Sequence, residues 1–148
     1  MDNNSTVDLL IEMARKKRDE AAARMAQSQL RCQETEKKMG VLNQYLSEYH
    51  TRQRGVGCTD AILLANYRAF LERLESAASR QQSELLMMRR DLLQKRQAWE
   101  RALQHFKSIE VLQERRASTA RITASRAHQR DHDSLAAQMA AYPIAMAG

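Results

Sequence analysis

Two long stripes of apolar and small residues, spaced alternately by four and three positions, constrain this chain more than any other feature. The first stripe runs from Val7 to Tyr49, and only Arg18 interrupts it with a large polar side chain. The second stripe runs from Leu64 to Ile109, and twelve of its fourteen positions are apolar or small. A mean period of about 3.5 residues sustained over so many turns is typical of a left-handed coiled coil. The pattern therefore predicts two long helices that pack along these stripes.

The composition favours the same interpretation. The 148 residues include one proline and 5% aromatic residues, whereas 28% of the chain is charged. Two phenylalanines and one tryptophan are too few to fill a wide globular interior. A narrow seam between two helices needs far less apolar volume, so composition and periodicity agree on an all-α fold.

A single interior break, "TRQRGVGCTD" at residues 51–60, separates the stripes. Gly55 and Gly57 can end the first helix, and Thr59 or Asp60 can cap the second. A short connection makes the two helices antiparallel neighbours. We therefore expect one domain, an antiparallel coiled-coil hairpin. Its predicted parts are helix one over about 5–52, a bend over about 53–59, a longer helix two over about 60–138, and a disordered tail over about 139–148.

The two stripes pair in layers if Tyr49 lies opposite Leu64, so that the numbers of facing residues add up to about 113. This register places Arg18 and Lys95 in one layer. Because two like charges are costly to bury together, we expect that layer to be loose and hydrated.

The residues of the bend do not match any catalytic or phosphate-binding motif. "GVGCTD" lacks the lysine of a P-loop and the third glycine of a dinucleotide site, and no strand precedes it. Cys58 would need a rigidly held histidine base, and only His50 is close in sequence. His128 and His132 have a zinc-like spacing but lack an evident third ligand. We therefore expect no enzymatic activity, cofactor, metal ion or small-molecule substrate.

Basic residues are concentrated where the chain termini are expected to meet. The net charge is +6, and residues 95–130 contain nine Lys or Arg against three Glu. The segment "RKKR" at 15–18 lies on the partner helix. These residues are compatible with binding to an acidic protein, an anionic lipid or nucleic acid. They are equally compatible with solvated helix faces that bind no partner. A hairpin precedes the basic stretch, unlike in basic-zipper proteins, so we expect no specific nucleic-acid target.

Three apolar residues flank the seam near the bend without belonging to either stripe: Tyr45, Phe70 and Ala77. They are compatible with a core that widens at the tip of the hairpin, and also with an exposed surface for a partner protein. The start of the chain lacks the apolar core of a signal peptide, and no stretch is long and apolar enough to span a membrane. We therefore expect a cytoplasmic protein.

Several short segments occur in a familiar order. They are "DEAAARM" near the start, "RCQ" at 31–33, "VLNQYLSEYH" at the end of helix one, the glycine-containing bend, and "NYRAFLERLESA" opening helix two. With the single tryptophan, Trp99, and the arginine-rich second helix, the chain resembles the FliJ family of flagellar type III export proteins over about residues 5–135.

The resemblance implies a two-helix antiparallel coiled coil that acts as a stalk in bacterial flagellum biogenesis and motility. Its partners would be a hexameric flagellar export ATPase whose assembly it promotes, the cytoplasmic domain of the export-gate membrane protein, and export chaperones. It would be cytoplasmic and peripherally associated with the inner membrane at the flagellar base. The alternatives are the equivalent stalk of a virulence type III secretion system and a basic nucleic-acid-binding coiled coil.

The resemblance also implies two sets of partner-binding residues. The export-gate set carries over to Leu42, Tyr45, Tyr49, Phe70, Leu74, Ala77 and Gln81. The chain departs from the family pattern at two positions of this region. It has Lys38 where the pattern has glutamine, and Gln81 where the pattern has histidine. The ATPase ring would contact the basic residues at the joined termini, which are Arg15, Lys16, Lys17, Arg18, Arg115, Arg116, Arg121 and Arg126.

Overall fold

The computed structural model describes the backbone of residues 3–55 and 60–146, and side chains over residues 3–53 and 60–142. Its described part consists of two helices, α1 (Asn3–Gly55, 53 residues) and α2 (Ala61–Met146, 86 residues). The predicted all-α arrangement with a longer second helix is confirmed. α2 extends to Met146, so it is helical over residues 139–146, where the sequence indicated a disordered tail.

Asp60 caps the start of α2. Its Oδ1 accepts a hydrogen bond from the backbone N–H of Ile62 at 3.0 Å, and its carbonyl oxygen accepts one from the N–H of Leu64 at 3.1 Å. The carboxylate thus satisfies one of the amides that a helix start leaves without an intrahelical partner. α1 ends at Gly55, and none of the described glycines has a positive φ. The predicted roles of Gly57, Cys58 and Thr59 concern residues outside the described part.

The chain divides into two compact units. Unit 1 comprises Met1–Arg15 and Gln104–Gly148, and unit 2 comprises Lys16–Leu103. Each unit therefore contains a segment of α1 packed on a segment of α2. In both units, residue numbers rise along one segment as they fall along the other, so the helices are antiparallel as predicted.

Unit 1 is built on a small apolar cluster. Ile11, Ala14, Phe106 and Ile109 are buried against one another. At the margin of the cluster the Arg15 guanidinium lies 5.8 Å from the centre of the Phe106 ring. Two hydrogen bonds also join the helices of this unit. Gln113 Nε2 donates to Asp8 Oδ1 at 3.1 Å, and Arg116 Nη1 donates to the Asn3 carbonyl oxygen at 3.2 Å. All α2 residues from 119 to 142 are exposed.

Every predicted stripe position is buried or half-buried, in both helices. We refer to these packed positions as the seam. In the middle of unit 2 the seam of α1 consists of three small residues, Ser28, Cys32 and Thr35, which are all buried. Across from them lie the larger Leu85, also buried, and Met88, whose Sδ is 2.9 Å from Thr35 Oγ1. Small side chains on α1 thus accommodate larger ones on α2.

The predicted register is wrong by one heptad. For residues joined across the helices by hydrogen bonds, ion pairs or the Arg15–Phe106 contact, the two numbers add up to between 119 and 121 in unit 1 and between 116 and 125 in unit 2, rather than to 113. After a slide of seven residues nearly all seam positions still face other seam positions, so periodicity alone does not separate the two alignments. Individual layers decide between the two alignments. Phe106, for example, packs in one cluster with Ile11 and Ala14, whereas the register predicted from the sequence pairs it with Val7.

The predicted layer of two cations is also absent from this register. Arg18 forms an ion pair with Asp19 at 2.9 Å, and Lys95 lies 3.8 Å from Asp91. Asp91 Oδ2 in turn accepts a hydrogen bond of 2.8 Å from the buried Ser28 hydroxyl. Each cation therefore has its own carboxylate, and Lys95 is linked to Ser28 through Asp91.

Candidate partner-binding surface

The seam of unit 2 has two edges with different chemistry. In a coiled coil the seam residues occupy alternating heptad positions, called a and d. In an antiparallel pair, the residues just before the a positions of both helices lie on one side of the seam, and the residues just after the d positions lie on the other. Tyr45, Phe70 and Ala77 all belong to the first kind, so the heptad pattern places them together; we call this side the apolar edge. The opposite side is the ion-pair edge.

Interhelical ion pairs occupy the ion-pair edge. His50 Nε2 lies 3.4 Å from Glu75 Oε1, and Arg89 Nη2 lies 3.3 Å from Glu36 Oε1. Because all four side chains are about half exposed, each pair contributes little stability, on the order of 0–1 kcal/mol. These two pairs do, however, join charged side chains of α1 and α2 on that edge.

An aromatic cluster supports the apolar edge near the end of unit 2 that carries the bend. The Tyr49 and Phe70 rings meet edge to face with centroids 5.0 Å apart, and Tyr49 lies 6.0 Å from Tyr67. The Tyr67 hydroxyl donates a hydrogen bond to the Tyr49 carbonyl oxygen. The Arg52 guanidinium lies 5.8 Å from the centre of the Tyr49 ring. These contacts hold Phe70 in a defined position at the surface.

The seven residues predicted for the export gate fall into two groups, which the structure places within unit 2. Leu42, Tyr49, Leu74 and Gln81 are half-buried seam residues, and Ala77 beside them is half-buried too. Tyr45 and Phe70 are 53% and 42% exposed. Five of the residues therefore contribute to packing, while two aromatic side chains face solvent.

Two concavities lie on the apolar edge. The first has a volume of about 420 Å³, and it is lined by Arg52, Gln53, Leu63, Leu64, Asn66, Tyr67 and Phe70. The second has a volume of about 430 Å³, and it is lined by Lys37, Lys38, Val41, Leu42, Tyr45 and Gln81. We call them the tip cavity and the lysine cavity.

Sequence reasoning missed two apolar residues of these cavities, Leu63 and Val41, which are 58% and 54% exposed. The available signal was their heptad position. Leu63 precedes a seam residue in the same way as Phe70, and Val41 lies one turn from Tyr45 on the same side of α1.

The eight basic residues predicted for the ATPase ring are divided between the units. Unit 1 contains five of them, and unit 2 contains Lys16, Lys17 and Arg18. Arg15 contacts Glu12 and the Phe106 ring, and Arg116 donates to the Asn3 carbonyl oxygen. The remaining members of the set in unit 1, Arg115, Arg121 and Arg126, are exposed on α2.

The described residues also bear on metal binding and membrane insertion. In this part of the chain no three His, Cys, Asp or Glu side chains are grouped as metal ligands would be. Asp133 near His132 accepts a hydrogen bond of 3.2 Å from Gln129. Over the same residues, neither helix has a segment that is long and apolar enough to cross a membrane.

Comparison with known proteins gives two matches. The model of a family described as "Flagellar FliJ protein" matches residues 4–142. The chain is also 24% identical over 143 residues to a "Flagellar FliJ protein" of Salmonella typhi, and this alignment covers 95% of the chain and 97% of that protein. No solved structure matches the chain significantly.

Proposed function

Because this chain belongs to the flagellar FliJ protein family and so has a role related to flagellar export, we propose that it is a non-enzymatic stalk of the flagellar protein export apparatus. The family match over residues 4–142 is the observation that carries the proposal, since it includes described segments of both units. The matched family is a flagellar one, which favours this interpretation over the stalk of a virulence secretion system.

The proposed stalk binds the cytoplasmic domain of the export-gate membrane protein through the apolar edge of unit 2. Tyr45 and Phe70 are the contact residues best suited to this role, because large aromatic side chains at the surface provide much of the energy of protein interfaces. Leu42, Tyr49, Leu74, Ala77 and Gln81 support them from the seam. The exposed fractions of Tyr45 and Phe70, 53% and 42%, support this assignment.

The same proposal assigns the basic residues to the hexameric export ATPase. The chain would enter the ring with Arg15, Lys16, Lys17 and Arg18 of α1 and Arg115, Arg116, Arg121 and Arg126 of α2, and would promote ring assembly. The continuously exposed α2 residues 119–142 support this role, since a helix without a partner in its own chain has its whole surface available. Binding of export chaperones, and location at the inner membrane beneath the flagellum, complete the proposal.

The ATPase of the same organism tests the ring contact. Its ATP hydrolysis rate and its oligomer size would be measured with and without this chain, and then with variants in which residues 15–18 or Arg115, Arg116, Arg121 and Arg126 are replaced by glutamine. We expect the wild-type chain to raise both quantities and the variants to do so less. If the wild-type chain changes neither quantity, the stalk mechanism is wrong.

Removal of two apolar side chains tests the gate contact. The variant Phe70→Ala with Leu74→Ala should bind the gate domain at least tenfold more weakly, because it loses a surface anchor and its support. Helical circular dichroism should stay near that of the wild type. Leu86→Ala is the matched control, since Leu86 is 50% exposed in unit 2 and belongs to neither cavity. An equal loss of binding in this control would contradict the assignment.

A further inference from the structure

The tip cavity and the lysine cavity lie on the same edge and have cations at their rims. Arg52 lines the first cavity, and Lys37 and Lys38 line the second. Arg52 and Lys38 are fourteen positions apart on α1, which corresponds to about 21 Å along a helix. The same spacing is two heptads, so both side chains face the same side of α1.

These rim cations have no carboxylate partner. Among the described side chains, no Asp or Glu oxygen lies within 4.0 Å of Lys37, Lys38 or Arg52, although ion pairs are formed on the opposite edge. Glu34 and Glu48 each precede a rim cation by one helical turn and form no ion pair with it. In the observed register, the edge positions of α2 across from Lys38 and Arg52 are Glu84 and Phe70, and Glu84 forms no ion pair with Lys38. The apolar edge therefore displays positive charge that the molecule does not neutralise.

The walls of the cavities are apolar and held in place. Leu63, Leu64, Tyr67 and Phe70 line the tip cavity, where the Tyr67 hydroxyl is bound to the Tyr49 backbone. The lysine cavity is walled by Val41, Leu42 and Tyr45. Both volumes are within the range of about 300–1,000 Å³ for sites that bury apolar groups. Each cavity can accept a bulky side chain, and the rim cation beside it can bind a carboxylate.

We propose that the apolar edge binds an acidic amphipathic helix of a partner protein. The helix inserts one large apolar side chain into each cavity and pairs carboxylates with Lys38 and Arg52. A helix supplies apolar anchors and charges that repeat at the heptad spacing of the two cations. Nucleic acid and an anionic membrane surface supply the charge without two separate apolar anchors. The inference rests on the proposed gate contact and adds the chemistry that the bound segment of the gate must have.

Charge reversal tests the inference on the full-length chain. Its affinity for the cytoplasmic domain of the export gate would be measured by calorimetry for the wild type, Lys38→Glu and Arg52→Glu. We expect each variant to bind about tenfold more weakly, because an attractive charge pair becomes repulsive. Arg68→Glu is the control, since Arg68 is an exposed cation of the ion-pair edge, and its affinity should change less than twofold.

A synthetic peptide tests the chemistry of the surface without the gate protein. A synthetic amphipathic helix would carry two leucines fourteen positions apart with a glutamate one turn from each, and a matched peptide would have lysine in place of each glutamate. The wild-type chain should prefer the glutamate peptide, and the double variant Lys38→Glu with Arg52→Glu should prefer the lysine peptide.

The outcomes distinguish the two proposals. If Phe70→Ala weakens gate binding while Lys38→Glu and Arg52→Glu do not, the acidic-helix inference is overturned and the gate contact stands. If the gate domain does not bind but the peptide preference and its reversal are observed, the acidic-helix surface stands and the gate contact fails. Tighter binding of duplex DNA or of vesicles with one quarter phosphatidylglycerol than of the glutamate peptide would overturn the inference.

Discussion

The observed register predicts that a cysteine at position 88 will form a disulfide bond with the native Cys32. Cys32 is buried in the seam, and Met88 Sδ lies 2.9 Å from Oγ1 of Thr35, one turn further along α1. When facing residue numbers add up to about 120, Cys32 lies opposite position 88. In the register expected from the sequence, it would lie opposite Gln81 instead. The variants Met88→Cys and Gln81→Cys, both with Cys58→Ser, therefore report the two registers separately.

The geometry allows only one of the two bonds. Positions 81 and 88 are seven residues apart on α2, which is about 10 Å along the axis. A disulfide bond requires Cα atoms within about 7 Å, so a cysteine misplaced by a heptad does not react without movement of the backbone. The bond between positions 32 and 88 would close a loop of about 57 residues. The chain-entropy relation assigns such a loop about 4 kcal/mol of stabilisation, which raises the melting temperature by roughly 10 °C.

The assay is oxidation at low protein concentration, followed by electrophoresis without reductant and by thermal unfolding monitored by circular dichroism. We expect Met88→Cys to form the intramolecular bond rapidly and to melt at a higher temperature than its reduced form. Gln81→Cys should oxidise slowly and gain no stability. Rapid bond formation by Gln81→Cys, with none by Met88→Cys, would refute the register and the layers assigned from it.

Three further substitutions test the packing of the helices, each by urea unfolding monitored by circular dichroism. Phe106→Ala should destabilise the protein by about 3 kcal/mol because it empties the buried cluster of unit 1, whereas Leu135→Ala on the exposed part of α2 should change stability by less than about 0.5 kcal/mol. Equal effects would contradict the assigned core. Asp60→Ala should cost about 1 kcal/mol through loss of the helix cap, and a change within error would mean that the cap is not formed in solution. Ser28→Ala should cost roughly 1–2 kcal/mol because it leaves Asp91 without the buried hydroxyl donor, and a gain in stability would show that the polar layer is unfavourable.

Much of the fold could be predicted from the sequence because each helix carries a complete heptad pattern. Every residue of the two stripes, from Val7 to Tyr49 and from Leu64 to Ile109, is buried or half-buried as predicted. The cap at Asp60 could also be predicted, since a carboxylate before a run of helix-forming residues is a local signal that needs no tertiary contact. The end of α2 was less predictable, because helix-forming residues without a partner are compatible with helix and with coil.

The candidate surface could be predicted only in part. Tyr45 and Phe70 were visible in the sequence as large apolar residues outside the stripes, and both are exposed. Leu63 and Val41 were not recognised, because a single apolar residue near the end of a helix is common at protein surfaces. The cavities beside them arise from the spacing of side chains on two helices, which one-dimensional periodicity does not contain.

The sequence by itself determined that there are two helices and which face of each is packed. These properties follow from local propensities and from a repeat that a chain carries wherever it packs. The tertiary structure decided which residues face each other. A repeat of seven residues matches itself after a slide of seven, so the choice depends on particular pairs, such as Ser28 with Asp91 and Tyr49 with Phe70. The same register placed the interhelical ion pairs of unit 2 on one edge and left the cations Lys38 and Arg52 without carboxylate partners on the other.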